Sequence, residues 1–507
     1  MPSPPDPNAL PVDANVDTRL SATLDPVDWD PVRLVGRQMV DDMVGYLETV
    51  RDRPTWQSVP AAVRARLDEA VPRDGQPLEA VYDQFREQVL PYATGNIHPR
   101  FWGWVMGTGS ATAMLADMLA SGMNCHLAGY DQSAAVVEMQ VLTWLKALMG
   151  FPEDASGVLV SGGTAANLDG LMAARVAKAG YDVREAGAFG GPPLTVYASS
   201  ETHSWIYKAC EAMGLGRRAV RSIPVDGDFR IDVDACRAAI AADRAAGLRP
   251  IAIVGNAGTV NTGAIDDLRA LRALADETDL WLHVDGAYGA LAALSDEPEL
   301  VAGQELADSL AFDLHKWGYL PYEVGVILTR SPHAQTATYQ APPSAMPAYL
   351  QSATGGISTG TTYFADRGMS LSRGFKALKV WMAMKEQGVT RIGKAIQANI
   401  DQARYLGGLV DADPMLDRMA PVSLNAVCFR YLAKGLDAEG LDQLNREILI
   451  TLQEEGVAVP SQTILGGRYA IRCCITNHRS RAEDFDILVD AVRRIGARLT
   501  GPAEALR

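Results

Sequence analysis

The run Ala311 to Leu328, AFDLHKWGYLPYEVGVIL, leaves the chain few folds to choose from. Asp308-Ser-Leu-Ala-Phe-Asp reads as a short buried strand. Glu323-Val-Gly-Val-Ile-Leu reads as a second strand with alternating apolar faces. Between them sits His315-Lys316-Trp317. A lysine pinned between two strands is unusual, because lysine is seldom buried and desolvation lowers its pKa toward nucleophilic use. Taken alone, the stretch fits a surface-loop lysine equally well.

A second stretch shifts the balance. Leu280-Trp-Leu-His-Val-Asp-Gly-Ala-Tyr-Gly is a strand ending at Asp285. In doubly wound α/β sheets, ligands sit outside the carboxyl ends of strands. A lysine and an acid placed there can grip opposite ends of one flat cofactor. Pyridoxal phosphate needs that pair: a lysine that condenses with its aldehyde, and an aspartate that keeps the pyridine nitrogen protonated so the ring accepts electrons.

HVDGAYG together with DLHKW resembles the pyridoxal-phosphate group II amino acid decarboxylases, which include aromatic-amino-acid, tyrosine, histidine and glutamate decarboxylases. The resemblance runs from about Arg37 to the last helix. It implies an α/β chain of PLP fold type I (aspartate-aminotransferase-like). Such a chain has a mostly parallel central sheet flanked by helices, an N-terminal helical segment and a small C-terminal α+β domain. The expected divisions are a disordered tail at 1–28, the N-terminal segment at 29–100, the large cofactor domain at 101–387 and the small domain at 388–507. The family also implies a homodimer with active sites at the subunit interface, the N-terminal segment packing across the partner.

Composition agrees and excludes. A chain of 507 residues is too long for one small core. A net charge of −15 disfavours nucleic acid and anionic membranes as partners. No apolar run is long enough to span a bilayer, and MPSPPDPNALPVDANVD reads as neither signal peptide nor anchor. Six cysteines without a C-x-x-C motif suit a reduced, cytoplasmic setting. No metal site is expected.

Several motifs then take places in order. Val35, Met39, Met43, Leu47 and Val50 form a helical stripe. In the Pro- and Gly-interrupted segment 95–104, Phe101, Trp102 and Trp104 either pack in a core or line a substrate pocket. The resemblance puts substrate contacts here. His98 reads as structural. Ser121 to Tyr130 is a loop, and the matching family loop reaches into the neighbouring active site. This makes His126 a pocket candidate, although family members carry bulkier apolar residues there.

Ser161-Gly-Gly-Thr-Ala-Ala-Asn follows a strand and opens a helix. Bare N–H groups and the helix dipole make Gly163 and Thr164 candidate phosphate contacts, with Thr164 as a plain N-cap the alternative. His203 lies just past the strand Leu194–Ser200, where an imidazole can lie flat on the pyridine ring and bond a substrate carboxylate. By resemblance, Thr259 sits near the ring or Asp285, and His315 beside Lys316 also touches the cofactor. Ala287 is small enough for the ring to rest on. Asp266 reads as the cap of the next helix. Ser331 to Gly360 has no periodicity and reads as a lid or binding loop. Within it, Tyr349 resembles the family's acid that returns a proton to the substrate carbon. Arg367 to Trp381 starts a helix, and Arg373 matches a family arginine of unassigned role.

The expected reaction is decarboxylation of an L-amino acid to its amine, with Lys316, Asp285, His203 and Tyr349 as catalytic residues. Trp102 and Trp104 point to an aromatic or apolar substrate, while HPRF also resembles the glutamate-type members. Oxidative deamination to an aldehyde is the near rival, disfavoured by the presence of Tyr349 and His203. An aminotransferase or β-lyase, with Arg472 binding substrate, is the more distant one. A non-catalytic binding protein is a further rival, which the intact Lys316 and Asp285 oppose.

Overall fold

A computed structural model describes residues 22–342, 354–359 and 362–501. Two compact units emerge: residues up to Glu48 with Val59–Pro91, and Thr49–Ser58 with Tyr92 onward. The first holds α1 (Asp30–Glu48), α2 (Ala61–Leu67) and α3 (Leu78–Gln84). On α1, Val35 is buried and Met39, Met43 and Leu47 are half-buried, four of the five positions of the stripe read from the sequence; the fifth, Val50, lies past the helix end at Glu48. The Tyr82 hydroxyl donates to Asp42 Oδ2 at 2.8 Å and ties α3 to α1.

The second unit opens with α4 (Ala111–Met123) and α5 (Ser133–Leu148). Strand and helix then alternate: β1 (Ser156–Val160), α6 (Gly163–Lys178), β2 (Leu194–Ser199), α7 (Trp205–Ala212), β3 (Val220–Ile223), α8 (Val233–Ala245), β4 (Arg249–Asn256), α9 (Leu268–Glu277) and β5 (Trp281–Asp285). Next come β6 (Ser309–Asp313), β7 (Gly325–Thr329) and α10 (Pro332–Tyr339). The described residues build a seven-stranded sheet in the order β1-β7-β6-β5-β4-β2-β3. β7 runs antiparallel to both neighbours, and the other pairings are parallel. This is the expected α/β class, and its strands are the near-continuous apolar runs that burial on both faces demands. Val254 and Trp281 pack with Leu171 of α6 and Ile206 of α7. Ile253, Leu282 and Val284 pack with Ile240 of α8 and Leu271 of α9.

Past the sheet come α11 (Ala377–Gln387) and α12 (Val389–Ala412), then β8 (Leu416–Arg418), β9 (Ala426–Tyr431), α13 (Ala438–Glu454), β10 (Ser461–Leu465), β11 (Arg468–Cys474) and α14 (Ala482–Thr500). The four strands make an antiparallel sheet in the order β10-β11-β9-β8, with a core that includes Phe429, Ile448, Phe485 and Val492. Among the described residues, no helix is long and apolar enough to cross a membrane.

Two local readings change. The stretch from Ser331 is not structureless, because α10 occupies its start. Pro332 stands in the first turn and the Ser331 side chain accepts from Ala334 N–H at 3.2 Å, a capping signal that the loop reading passed over. The helix expected from Arg367 begins only at Ala377.

Candidate active site

The strand ends assemble the site. Register pairs Asp285 with Asn256 on one side and Ala311 on the other. Lys316 stands three residues beyond the end of β6 at Asp313, and α6 starts three residues beyond the end of β1 at Val160. Lys316, Asp285, Ala287, His203, Gly163 and Thr164 line one cavity.

Asp285 is held from two sides. Trp205 Nε1–H donates to its Oδ2 at 2.6 Å, and Ala287 N–H donates to its Oδ1 at 3.0 Å. His203 Nδ1 accepts from Trp205 N–H at 3.2 Å, so the neutral ring carries its proton on Nε2. Partial burial holds the His203 pKa below its ordinary value; Asp285 opposes this and Lys316 adds to it.

Lys316 Nζ lies 2.8 Å from Asp313 Oδ2. Burial alone would lower its pKa, but Asp313 and then Asp285 outweigh burial and raise it. The expectation of a lysine deprotonated by burial is therefore corrected: in this geometry the neighbouring carboxylates keep it an ammonium. Asp313 is buried in a glycine-lined niche. A Cβ at Gly163 would lie 2.8 Å from Asp313 Oδ2 and 3.2 Å from Ala287 Cβ, and one at Gly325 would lie 2.7 Å from Asp313 Oδ1.

The α6 terminus suits an anion. Its N-cap is Gly162, with no capping side chain, so the first N–H groups are bare. Thr164 sits inside the helix and is not the cap. His315 is buried beside this terminus: a Cβ at Gly162 would lie 3.0 Å from His315 Cε1. Its Nδ1 is engaged with the main chain of Val324, and its ring lies 4.5 Å from that of Tyr322.

Other candidates stand elsewhere. Trp102 is 1% exposed, stacks on Phe485 at 4.8 Å and donates from Nε1 to Ser480 Oγ at 3.0 Å. It belongs to the small-domain core, where a large ring with one satisfied N–H is at home. Phe101 is buried and bridges Val459, while Trp104 is 54% exposed with φ 53°. Phe101 and Trp102 anchor a segment that delivers Val105 to the cavity wall, and none of the three aromatics lines it. Thr259 does not line it. Its Oγ1 accepts from Ala264 N–H at 3.1 Å and meets Thr262 Oγ1 at 3.1 Å, closing a turn whose flanks Gly258 and Val260 reach the cavity instead. His126 is exposed, with Nδ1 accepting from Ala128 N–H. His98 is buried, and burial lowers its pKa to about 4. Tyr349 lies outside the described residues.

Asp266 does not cap α9; Asp267 does, accepting from Ala270 N–H. Asp266 is buried and accepts from the N–H groups of Ile231 and Asn256 and from Asn256 Nδ2. Arg373 gains a place: it pairs with Glu138 and donates to the carbonyls of Leu127 and Leu159, tying the 126–128 loop to α5 and to β1. Arg472 is buried, donating from Nε to Asn261 O and from Nη1 to Trp104 O and Ser461 Oγ. Sequence reading missed Val105, Asn167, Trp205, Asn256 and Tyr288 on the cavity wall. Asn256 was findable, since it ends a strand in the same row as Asp285.

The residues present fit a phosphorylated pyridine aldehyde. The bare start of α6, a lysine and a carboxylate stand on the same cavity. Residues 60–432 match the family described as the pyridoxal-dependent decarboxylase conserved domain. An aromatic-L-amino-acid decarboxylase of Bacillus atrophaeus is 32% identical over 461 residues, covering 90% of this chain and 93% of that protein. A phenylacetaldehyde synthase of Arabidopsis thaliana is 28% identical, covering 89% and 93%. The crystal structure of Oryza sativa TDC with PLP and tryptamine superposes with a TM-score of 0.85 at 27% identity, covering 94% of this chain and all of that one. The chain belongs to the pyridoxal-dependent decarboxylase family. It is a carboxy-lyase that acts on an amino acid, and its cofactor is pyridoxal phosphate.

Proposed function

We propose that the chain decarboxylates an aromatic or apolar L-amino acid to the corresponding amine. The observation that carries this is the meeting of Lys316, Asp285 and His203 on one cavity below the bare start of α6. The aromatic preference rests on the relatives that act on aromatic amino acids.

Lys316 is the residue that would hold the cofactor aldehyde, Asp285 the one that would pair with the ring nitrogen, and Gly163 and Thr164 the phosphate contacts. When bound, the cofactor supplies a sink for the electrons of the bond broken at the substrate α-carbon. His203, with its proton on Nε2, is the donor to the substrate carboxylate. It would orient that carboxylate for loss from the α-carbon. An apolar wall such as Val105 beside the carboxylate would favour loss of a neutral product from a charged group. Tyr349 remains the proposed acid that protonates the α-carbon.

The working unit is a homodimer. Apolar Met118, Leu119 and Met123 on α4 are 52%, 47% and 51% exposed, beside the loop carrying His126, which supports burial there by a second copy. A cytoplasmic setting is supported by six free thiols, five of them buried.

A phenylacetaldehyde synthase among the relatives keeps oxidative deamination as a second reading. An acidic substrate stays open through the HPRF segment. The aminotransferase reading loses support, because Arg472 does not line the cavity of Lys316 and its Nε and Nη1 are engaged by main-chain carbonyls. Offering the protein each of the twenty amino acids and measuring CO₂, amine, aldehyde and keto acid decides among these. Amine and CO₂ in equal amounts from an aromatic substrate are expected; keto acid without CO₂ would overturn the proposal.

A further inference from the structure

We propose that Asn167 is an additional cofactor-binding residue, its side-chain amide donating to an oxygen of pyridoxal phosphate, and that Trp281, Ser309 and His283 serve to aim it.

Asn167 lies on α6 one turn below Thr164 and lines the same cavity as Lys316 and Asp285. It is 1% exposed, and its Nδ2 has no hydrogen-bond partner among the described residues. A buried amide left unpaired is costly, so such a group in a ligand cavity is expected to meet an acceptor on the ligand.

Which end of the amide faces the cavity follows from the groups behind it. Trp281 Nε1–H donates to Ser309 Oγ at 2.8 Å. Ser309 Oγ lies 2.8 Å from His283 Nδ1, and His283 Nε2 lies 2.7 Å from Asn167 Oδ1. Trp281 can only donate. The Ser309 hydroxyl hydrogen then has His283 Nδ1 as its acceptor among the described residues, so the imidazole carries its proton on Nε2. That proton occupies Asn167 Oδ1, and the NH₂ is left for the cavity. All four residues are buried, with His283 and Ser309 at 0% exposure, so water does not compete for these bonds. Burial also lowers the His283 pKa to about 4, which keeps this single-proton arrangement at neutral pH.

The cofactor offers acceptor oxygens on its ring and on its phosphate. The protonated ring nitrogen opposite Asp285 is no acceptor. The proposal rests on pyridoxal phosphate occupying this cavity, so the test begins by titrating wild-type apoprotein with the cofactor and trapping it on Lys316 with borohydride. Failure at that step would count against the site assignment itself.

Given that step, Asn167→Ala is expected to weaken cofactor binding about tenfold or more, read by tryptophan fluorescence. Asn167→Asp keeps the shape and loses the donor, and serves if the alanine variant folds poorly. The loss should shrink to under about twofold with either pyridoxal, which lacks the phosphate, or 3-deoxypyridoxal phosphate, which lacks the ring oxygen; the analogue that does so identifies the contacted atom. Ser309→Ala should weaken binding in the wild-type background and add nothing to Asn167→Ala. Unchanged affinity in both Asn167 variants, or an undiminished loss with both analogues, would overturn the proposal.

Discussion

Trp205 Nε1 donates to Asp285 Oδ2 at 2.6 Å, joining the first residue of α7 to the last residue of β5 across 80 positions of sequence. The same indole sits edge-on to His283 at 5.8 Å, and its main-chain N–H sets the His203 tautomer. One tryptophan thus orients both the acid and the imidazole of the site.

Removing that donor tests its weight. Trp205→Phe should retain the cofactor but lower kcat roughly tenfold or more, the cost of a lost bond to a charged group. Steady-state kinetics with cofactor occupancy measured in parallel checks this; unchanged kcat at full occupancy would remove Trp205 from the mechanism.

Lys316→Ala should leave no cofactor attached after borohydride reduction and lower amine formation by about a thousandfold or more. Mass spectrometry of the reduced protein reads the first outcome directly.

Asp313 sets the charge of Lys316. Burial pulls the lysine pKa down, while Asp313 and Asp285 push it up, the upward pull prevailing. Asp313→Asn removes the larger upward contribution, so the pKa must fall. The rate at which apoprotein Lys316 reacts with pyridoxal, trapped by borohydride, should reach its plateau at lower pH in the variant. A profile displaced to higher pH would contradict the assignment.

Asp169 accepts from the Tyr339 hydroxyl at 2.6 Å, and burial pushes its pKa up to about 7. An acid whose folded pKa is raised holds a proton that the unfolded chain releases, so its contribution to stability falls as pH rises from about 4 to 7 and is then flat. Asp169→Asn lacks this slope. It should melt higher than wild type at pH ~8, by on the order of 1–4 kcal/mol of stability, with the gap narrowing toward pH ~4. A gap independent of pH would sink the idea.

Tyr349→Phe should keep cofactor binding and lose amine formation by roughly 100-fold or more. Aldehyde with ammonia in place of amine would mark the switch to oxidative chemistry, and an unchanged amine yield would dismiss the tyrosine.

Local sequence carried the strand ends well. Apolar runs closing on Asp285 and on Asp313-Leu-His-Lys316 declare their own geometry, because a residue just past a parallel strand must stand at the crevice edge. The aromatic residues near position 100 did not declare theirs. Trp102 and Trp104 are two residues apart, yet one is core and the other exposed, since nothing in a Pro- and Gly-broken segment sets a period. Asp266 and Asp267 are adjacent and equally suited to capping; which of them turned inward depended on the amides of Asn256 and Ile231.

The sequence by itself determined the α/β class and, through its resemblance, the cofactor chemistry, and it singled out Lys316 and Asp285 as the candidate pair, because these depend on short-range pattern and on residue type. Only the tertiary structure decided the protonation of Lys316, the tautomers of His203 and His283, and the orientation of the Asn167 amide. Each depends on a partner distant in the chain, and burial removes the water that would otherwise make those partners interchangeable.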